Sequence, residues 1–132
     1  MLVIFCSLIS TVYSSLQFAA VRGSLTCNGD SAEKVLIELW DRDVLSADDR
    51  MNQTTTDIMG SFEISGTEDE YMTIEPYLII RHHCNAHSGC ERQLRVKSEP
   101  ALGRHSFHQL ENIELAKANA DGSDPCFAGH HV

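Results

Sequence analysis

The segment TIEPYLIIRHHCN, residues 73–85, contains a richly apolar strand pattern from Tyr77 to His82. Leu78 and Ile80 alternate with their neighbours, and successive side chains of a strand point to opposite faces of the sheet. The segment therefore predicts a strand whose Leu78 and Ile80 face a hydrophobic interior.

Comparable short stretches recur along the chain, separated by turn residues. Asn-Gly at 28–29 is a strong signal for a tight turn. Residues 54–56 are polar and β-branched, as on an exposed edge strand. About seven strands, no convincing helix and no internal repeat predict an all-β sandwich of antiparallel strands. The other side chains predicted to face its interior are Val35, Ile37, Leu39, Phe62, Ile64, Leu94 and Val96.

Four segments carry a resemblance to a known family. They are VRGSLTCNG (21–29), LWDRD (39–43), TDIMGSFEISG (56–66) and the segment 73–85. In this order and spacing they resemble the transthyretin-like family of secreted nematode proteins, over roughly residues 18–126. The resemblance implies the transthyretin fold, an immunoglobulin-like sandwich of two antiparallel sheets. It also implies an adaptor-like binding protein outside the cell.

The amino-terminal region has the pattern of an export signal. Residues 2–13 are apolar and uncharged, and this run is too short to cross a bilayer comfortably as a helix. We therefore predict a signal peptide at 1–14, a β-sandwich domain at 15–117 and a polar tail at 118–132 tethered through Cys126. The alternative is a short buried strand at the amino end. Since no second hydrophobic segment follows, the predicted product is secreted and has no transmembrane segment.

The charge balance excludes one class of partner. Nineteen acidic residues face ten basic ones, for a net charge of −9. Because an acidic chain repels phosphate backbones and no run of Lys or Arg interrupts the trend, nucleic acid is not a predicted partner. A local basic patch around Arg92, Arg95 and Lys97 stays open.

Five cysteines predict two disulfides. Cys6 lies in the proposed signal, and an even set of four remains: Cys27, Cys84, Cys90 and Cys126. In a small exported domain this pattern is typical of two disulfides, with three connectivities open. We favour a hairpin staple from Cys84 to Cys90, which leaves Cys27 to pair with Cys126.

The histidines offer a rival to the disulfides. His83, Cys84, His87 and Cys90 could approach a tetrahedral zinc site if both thiols stayed reduced. An oxidising compartment favours disulfides instead, so no metal or cofactor is predicted and His83 and His87 remain a minor alternative. His82 is predicted to be a hydrogen-bonded structural residue, and the resemblance implies the same role.

Enzymatic activity is not predicted. A related family hydrolyses 5-hydroxyisourate and ends in Tyr-Arg-Gly-Ser, whereas this chain ends in AGHHV. No spacing of Ser, His and acid indicates a nucleophile, so no catalytic residue is assigned. The acidic loop at 41–50 could bind calcium, but Leu45 breaks the EF-hand spacing, and a solvated acidic surface is favoured.

Strand alternation predicts one contact patch. Trp40 lies on the outward side of its strand, and Tyr77 and Ile79 occupy the matching side of theirs, so pairing of the two strands would join them. Packing beneath a loop is the alternative reading. The predicted partners are an extracellular protein, a lipid or a small hydrophobic ligand, with the oligomeric state open. Asn52 begins an N-glycosylation sequon, Asn-Gln-Thr.

Overall fold

The computed structural model describes residues 15–70, 73–101 and 106–129, which form nine strands and no helix. The predicted signal peptide at 1–14 lies outside the described residues. The strands are β1 (Ser15–Cys27), β2 (Asp30–Ser31), β3 (Leu36–Asp41), β4 (Asp49–Thr55), β5 (Ser61–Glu70), β6 (Pro76–His82), β7 (Arg92–Lys97), β8 (His108–Gln109) and β9 (Ile113–Glu114).

The strands form two sheets that pack face to face. The first sheet has the order β2-β1-β5, and β8 and β9 also pair with β1. The second sheet has the order β4-β3-β6-β7, and all of its pairings are antiparallel. The predicted disulfide-stabilised β-sandwich is confirmed. The strands β8 and β9 run parallel to β1, and at two residues each they are too short to show alternation in the sequence.

The interior is filled by the alternating apolar positions of both sheets, so the predicted inward set is confirmed. Leu94 and Val96 of β7 are partly buried at the edge of this core. Burial of one such large side chain contributes roughly 1.5–3 kcal/mol relative to its exposure. The buried apolar side chains include Val21, Leu25, Val35, Ile37, Leu39, Phe62, Ile64, Leu78, Ile80 and Leu115.

Two tight turns set the ends of the first sheet. Asn28 and Gly29 join β1 to β2, and both have positive φ (52° and 86°), as a type I′ turn requires. Gly60 has φ 73° in the turn before β5, and a Cβ there would lie 2.3 Å from the carbonyl oxygen of Leu25. Glycine is therefore required at 60 by both its conformation and the close approach of β1.

The disulfides join different pairs of cysteines from the predicted pairs. Cys27 is bonded to Cys84 and Cys90 to Cys126, with Cα–Cα distances of 5.9 and 5.5 Å. The predicted staple from Cys84 to Cys90 and the pairing of Cys27 with Cys126 are therefore wrong. In the chain-entropy model, loops closed over 57 and 36 residues stabilise the fold by about 4 kcal/mol each.

The reason for this connectivity lies in the path of the chain after β6. Cys27 is the last residue of β1 and Cys84 lies two residues after β6 in the opposite sheet, and both pack against the same core, so their bond spans the sandwich. Cys90 faces the carboxyl-terminal segment instead. That segment is held there by a bridge between Ala86 and Phe127 and by a 2.9 Å hydrogen bond from the His87 amide to the Cys126 carbonyl.

Arg92 is buried at the start of β7, with 1% of its surface exposed. Its guanidinium donates to the carbonyls of Cys84, Leu115 and Lys117 and makes two bonds, of 3.1 and 2.6 Å, to the carboxylate of Asp124. These contacts use all five guanidinium N–H groups. The open possibility that Arg92 joins a surface basic patch is thus contradicted, because Arg92 alternates with Leu94 and Val96 and faces inward with them.

We predict that Asp124→Ala, measured by chemical unfolding with both disulfides intact, lowers the free energy of unfolding by about 3–5 kcal/mol. The change leaves the charge of Arg92 buried without its counter-ion. Glu63→Ala is the control, because Glu63 pairs with Arg22 at 3.6 Å on the exposed surface and such pairs contribute little. Equal losses for the two variants would contradict a stabilising role for the buried pair.

Candidate functional site

The side of the second sheet that faces away from the core is the candidate site, and we call it the outer face. Leu36, Glu38 and Trp40 of β3 occupy its centre, and β6 places a residue opposite each. The two edge strands, β4 and β7, complete three cross-strand rows. The rows are Thr55-Leu36-Arg81-Gln93, Gln53-Glu38-Ile79-Arg95 and Arg50-Trp40-Tyr77-Lys97.

The three predicted contact residues lie together on the outer face. Trp40 and Tyr77 are direct cross-strand partners, with ring centroids 6.5 Å apart and ring planes inclined by 9°. This is an offset-stacked aromatic pair. Ile79 is next on the same side of β6, and it is half-buried like Trp40. Tyr77 is only 6% exposed, so the accessible apolar surface belongs mainly to Trp40 and Ile79.

Tyr77 is held by contacts on two sides. The guanidinium carbon of Arg95 lies 3.8 Å from the centroid of its ring, in a cation–π contact. The phenol hydroxyl donates a hydrogen bond to Asp48 in the loop between β3 and β4. Burial, together with the hydrogen bond to Asp48 and the negative charge of that group, raises the pKa of Tyr77 to about 12. The ring position is therefore set before any ligand arrives.

Glu38 lies in the middle row and is only 4% exposed. Arg81 Nε donates to it at 2.8 Å and Arg50 Nη1 at 3.2 Å, and Arg81 also pairs with Glu91 at 2.9 Å. Burial alone would raise the pKa of Glu38, but the hydrogen bonds from Arg81 and Arg50 outweigh burial and lower it. The alternation that places Trp40 outward also places Glu38 outward, and the sequence signal for its burial is its position between Leu36 and Trp40.

The outer face is basic although the chain is acidic. Its three rows contain four basic residues and one acidic residue, and Asp48 and Glu91 contact Tyr77 and Arg81 from outside the rows. The local net charge is therefore +1 within a chain of −9. Glu38 takes up much of the charge of Arg50 and Arg81. Among the described residues, Arg95 and Lys97 form no ion pair. The outer face thus combines an aromatic pair with two cations outside any ion pair of the described residues, and the nearby carboxylate of Asp48 interacts with Arg95 electrostatically.

The histidine-rich segment has a structural role where the structure describes it. His82 is buried and its Nδ1 accepts a 3.2 Å hydrogen bond from the Cys84 amide, as predicted. Burial, reinforced by the nearby Arg92, lowers the pKa of His82 to about 4. The zinc set is contradicted, because the sulfurs of Cys84 and Cys90 belong to different disulfides.

Acidic residues of the loop between β3 and β4 bind within the loop. Asp43 accepts hydrogen bonds from the Leu45 amide and the Ser46 hydroxyl, and Asp48 accepts one from the Asp43 amide. Across residues 15–70, 73–101 and 106–129, no group of three or more His, Cys, Asp or Glu side chains is placed to hold a metal ion. In the same residues, no helix is long and apolar enough to cross a membrane.

The sequon residue Asn52 lies on the edge strand β4 with its side chain exposed. Its Nδ2 donates a 2.7 Å hydrogen bond to the Ser65 carbonyl of β5, so it sits where the two sheets meet. The sheets approach closely there, because a Cβ on Gly66 would lie 2.8 Å from the Cβ of Met51. A sugar on Asn52 would extend from this junction of β4 and β5 rather than from the outer face.

Comparison with known proteins assigns the family. The model of the TTR-52, transthyretin-like family matches residues 22–97, more than half of the chain. The chain belongs to the transthyretin-like family. Transthyretin-like protein 5 of Caenorhabditis elegans is 43% identical over 101 residues, 73% of each chain. Transthyretin-like protein 1 of the same species is 43% identical over 120 residues, 81% of this chain and 77% of the relative. The resemblance that was read from four segments is confirmed.

We predict that Tyr77 of this transthyretin-like chain stays protonated at pH 11, where a free tyrosine of pKa about 10 is ionised. Absorbance at 295 nm should show a tyrosine that titrates near pH 12, and Tyr77→Phe should lack it. Asp48→Asn should lower the pKa of Tyr77, because it removes a neighbouring negative charge.

The sign for stability follows from the raised pKa. Tyr77 contributes its full stabilisation below about pH 10, the pKa of tyrosine in the unfolded chain. This stabilisation is lost as the pH rises through about 12, the pKa of Tyr77 in the folded chain. Tyr77→Phe should therefore lose less stability over this interval than the parent chain. Ionisation of Tyr77 near pH 10 would contradict its burial against Asp48.

Proposed function

We propose that this chain is an exported binding module and that the outer face of its second sheet is the contact surface. The observation that carries the proposal is the Trp40–Tyr77 pair on a basic sheet face. Aromatic side chains with neighbouring arginines are typical of residues that dominate binding energy at protein interfaces. Membership of the transthyretin-like family, whose matched members are named for a fold rather than a reaction, supports binding over catalysis.

The disulfides support export. Four cysteines are paired in a chain of 132 residues, and disulfides persist in oxidising compartments such as the extracellular space. The apolar run at residues 2–13 is consistent with a signal peptide that is cleaved after Ser14. We propose that the mature chain begins at Ser15, is secreted and carries a glycan on Asn52.

Electrostatics limits the chemical groups that the partner can present to the outer face. A chain of net charge −9 is repelled by anionic surfaces at long range, but screening limits this repulsion to about 8 Å at physiological salt. At contact, the local charge of the outer face is positive. The proposed partner therefore presents an apolar group for Trp40 and Ile79 and a negative group for Arg95 and Lys97. An extracellular protein, a lipid headgroup or a small hydrophobic acid each has this chemistry.

The export proposal predicts the mass of the secreted product. Expression in a eukaryotic secretory host should release a chain that lacks residues 1–14 and is four hydrogens lighter than its reduced form. Digestion without reduction should yield the linked pairs Cys27–Cys84 and Cys90–Cys126. Enzymatic deglycosylation should lower the mass of the parent chain but not that of Asn52→Gln. A full-length chain retained inside the cell with free thiols would contradict export.

The contact surface predicts an effect of Trp40→Ala on binding. Cosedimentation with phosphatidylcholine vesicles, with and without anionic lipid, and with intact eukaryotic cells measures contact to lipid and to cell-surface protein. Trp40→Ala should weaken whichever binding the parent shows by about tenfold or more, as for other aromatic anchors. Ile58→Ala is the control, because Ile58 is 77% exposed in the turn between β4 and β5, beyond the end of β4 that is opposite to the Arg50–Trp40 pairing. Loss of binding with Ile58→Ala but not with Trp40→Ala would contradict the proposed surface and place the contact on the loops.

A further inference from the structure

A cavity of about 290 Å³ lies at the corner where β6 begins and β7 ends, and we call it the corner cavity. Tyr77 links it to the outer face, because it belongs to both. The volume is at the lower end of the range for ligand pockets, so it suits a single chemical group rather than a whole drug-sized molecule. The lining residues that bear on ligand binding are Arg42, Glu75, Tyr77, Arg95, Lys97 and Ser98.

The wall of the corner cavity is positively charged. Arg42, Arg95 and Lys97 contribute three cations against the single carboxylate of Glu75, a net charge of +2. Glu75 pairs with Arg42 at 3.8 Å, and both side chains are more than half exposed, so this pair is weak. Arg95 and Lys97 form no ion pair among the residues that the structure describes, so both are available to a ligand, although Arg95 also interacts electrostatically with the nearby carboxylate of Asp48.

Arg95 is positioned before binding. Its guanidinium stacks on the Tyr77 ring at 3.8 Å, and the Tyr77 hydroxyl is fixed by Asp48. Stacking occupies the face of the guanidinium and leaves its N–H edges free to donate. A planar fork of donors matches the oxygens of phosphate, sulfate or carboxylate. Because the group is already ordered, less conformational entropy is lost when an anion binds.

We propose that the corner cavity binds an oxyanion, with Arg95 donating from its edge and Lys97 supplying a second charge. The inference deepens the proposed function, because it assigns the negative group of the partner to this cavity. It rests on that function for the identity of the partner but not for the binding of the anion itself. A soluble phosphate or sulfate ester and a phospholipid headgroup share this chemistry.

The first test uses inorganic phosphate and the folded, disulfide-bonded protein. A titration at constant ionic strength, with chloride exchanged for phosphate, is followed by amide NMR shifts. The shifts should saturate and should be largest at Tyr77, Arg95, Lys97 and Ser98. Lys97→Gln should raise the dissociation constant about five- to tenfold, and Lys97→Arg should restore it, because one charge-assisted contact is lost and regained.

Lys117→Gln is the matched control. Its backbone carbonyl accepts a bond from Arg92 at the start of β7, and the five steps along that strand to Lys97 span about 17 Å. The control removes the same charge and should leave the dissociation constant within about twofold. Linear shifts without saturation, or equal weakening by Lys117→Gln and Lys97→Gln, would overturn the oxyanion site, since either result reduces it to general electrostatics.

The second test distinguishes the source of the anion and separates the two proposals. Lys97-dependent binding to phosphatidylcholine vesicles only when phosphatidylglycerol is included assigns the site to a lipid headgroup. Saturable phosphate binding without vesicle binding assigns it to a soluble ester. Phosphate binding that persists in Trp40→Ala, with no partner found for the outer face, would remove the proposed function and keep the oxyanion site. Partner binding that depends on Trp40 but not on Lys97, without phosphate binding, would remove the oxyanion site and keep the proposed function.

Discussion

The buried guanidinium of Arg92 is the constraint on which the rest of the structure depends. It donates to Cys84 after β6, to Leu115 after β9 and to Asp124 in the carboxyl-terminal segment, and its face covers the Phe127 ring at 4.6 Å. A buried cation is costly unless it is paired and fully hydrogen-bonded. Three separate parts of the chain must therefore be in place together, so the segment up to Phe127 belongs to the folded body.

The two disulfides follow from the same arrangement. Cys90 lies two residues before Arg92, and Cys126 lies two residues after Asp124, so one covalent bond and one ion pair join the same two segments. Cys84, whose carbonyl accepts from Arg92, is bonded to Cys27 in the opposite sheet. His82 is packed beside these groups and stays neutral because burial and the charge of Arg92 disfavour its protonation. This end of the sandwich is fixed, whereas the opposite end of β6 and β7 carries the corner cavity.

Period-two alternation predicted the longer strands and the core because each of these strands buries one side against the other sheet, a property that is local in sequence. It also placed Trp40, Tyr77 and Ile79 on one face, since only the pairing of β3 with β6 had to be assumed. The disulfide connectivity depends instead on where the carboxyl-terminal segment returns, and no local pattern specifies that return. The surface patch that included Arg92 was left open for a different reason: the parity of Arg92 with Leu94 indicated the interior, but its charge favoured the surface.

The outer face shows why parity alone does not define a binding surface. Glu38 and Tyr77 point away from the core, but long side chains from β4 and β7 cover them. Glu38 forms ion pairs with Arg50 and Arg81, whereas Arg95 packs on the Tyr77 ring and interacts only electrostatically with Asp48 at the hydroxyl of that ring. The basic side chains that form no ion pair therefore lie on the β7 side of the outer face and not on its β4 side. Since Trp40 is stacked on the same Tyr77 ring, a ligand that engages Arg95 and Lys97 comes within reach of the aromatic surface, and the charged and apolar contacts act on one molecule.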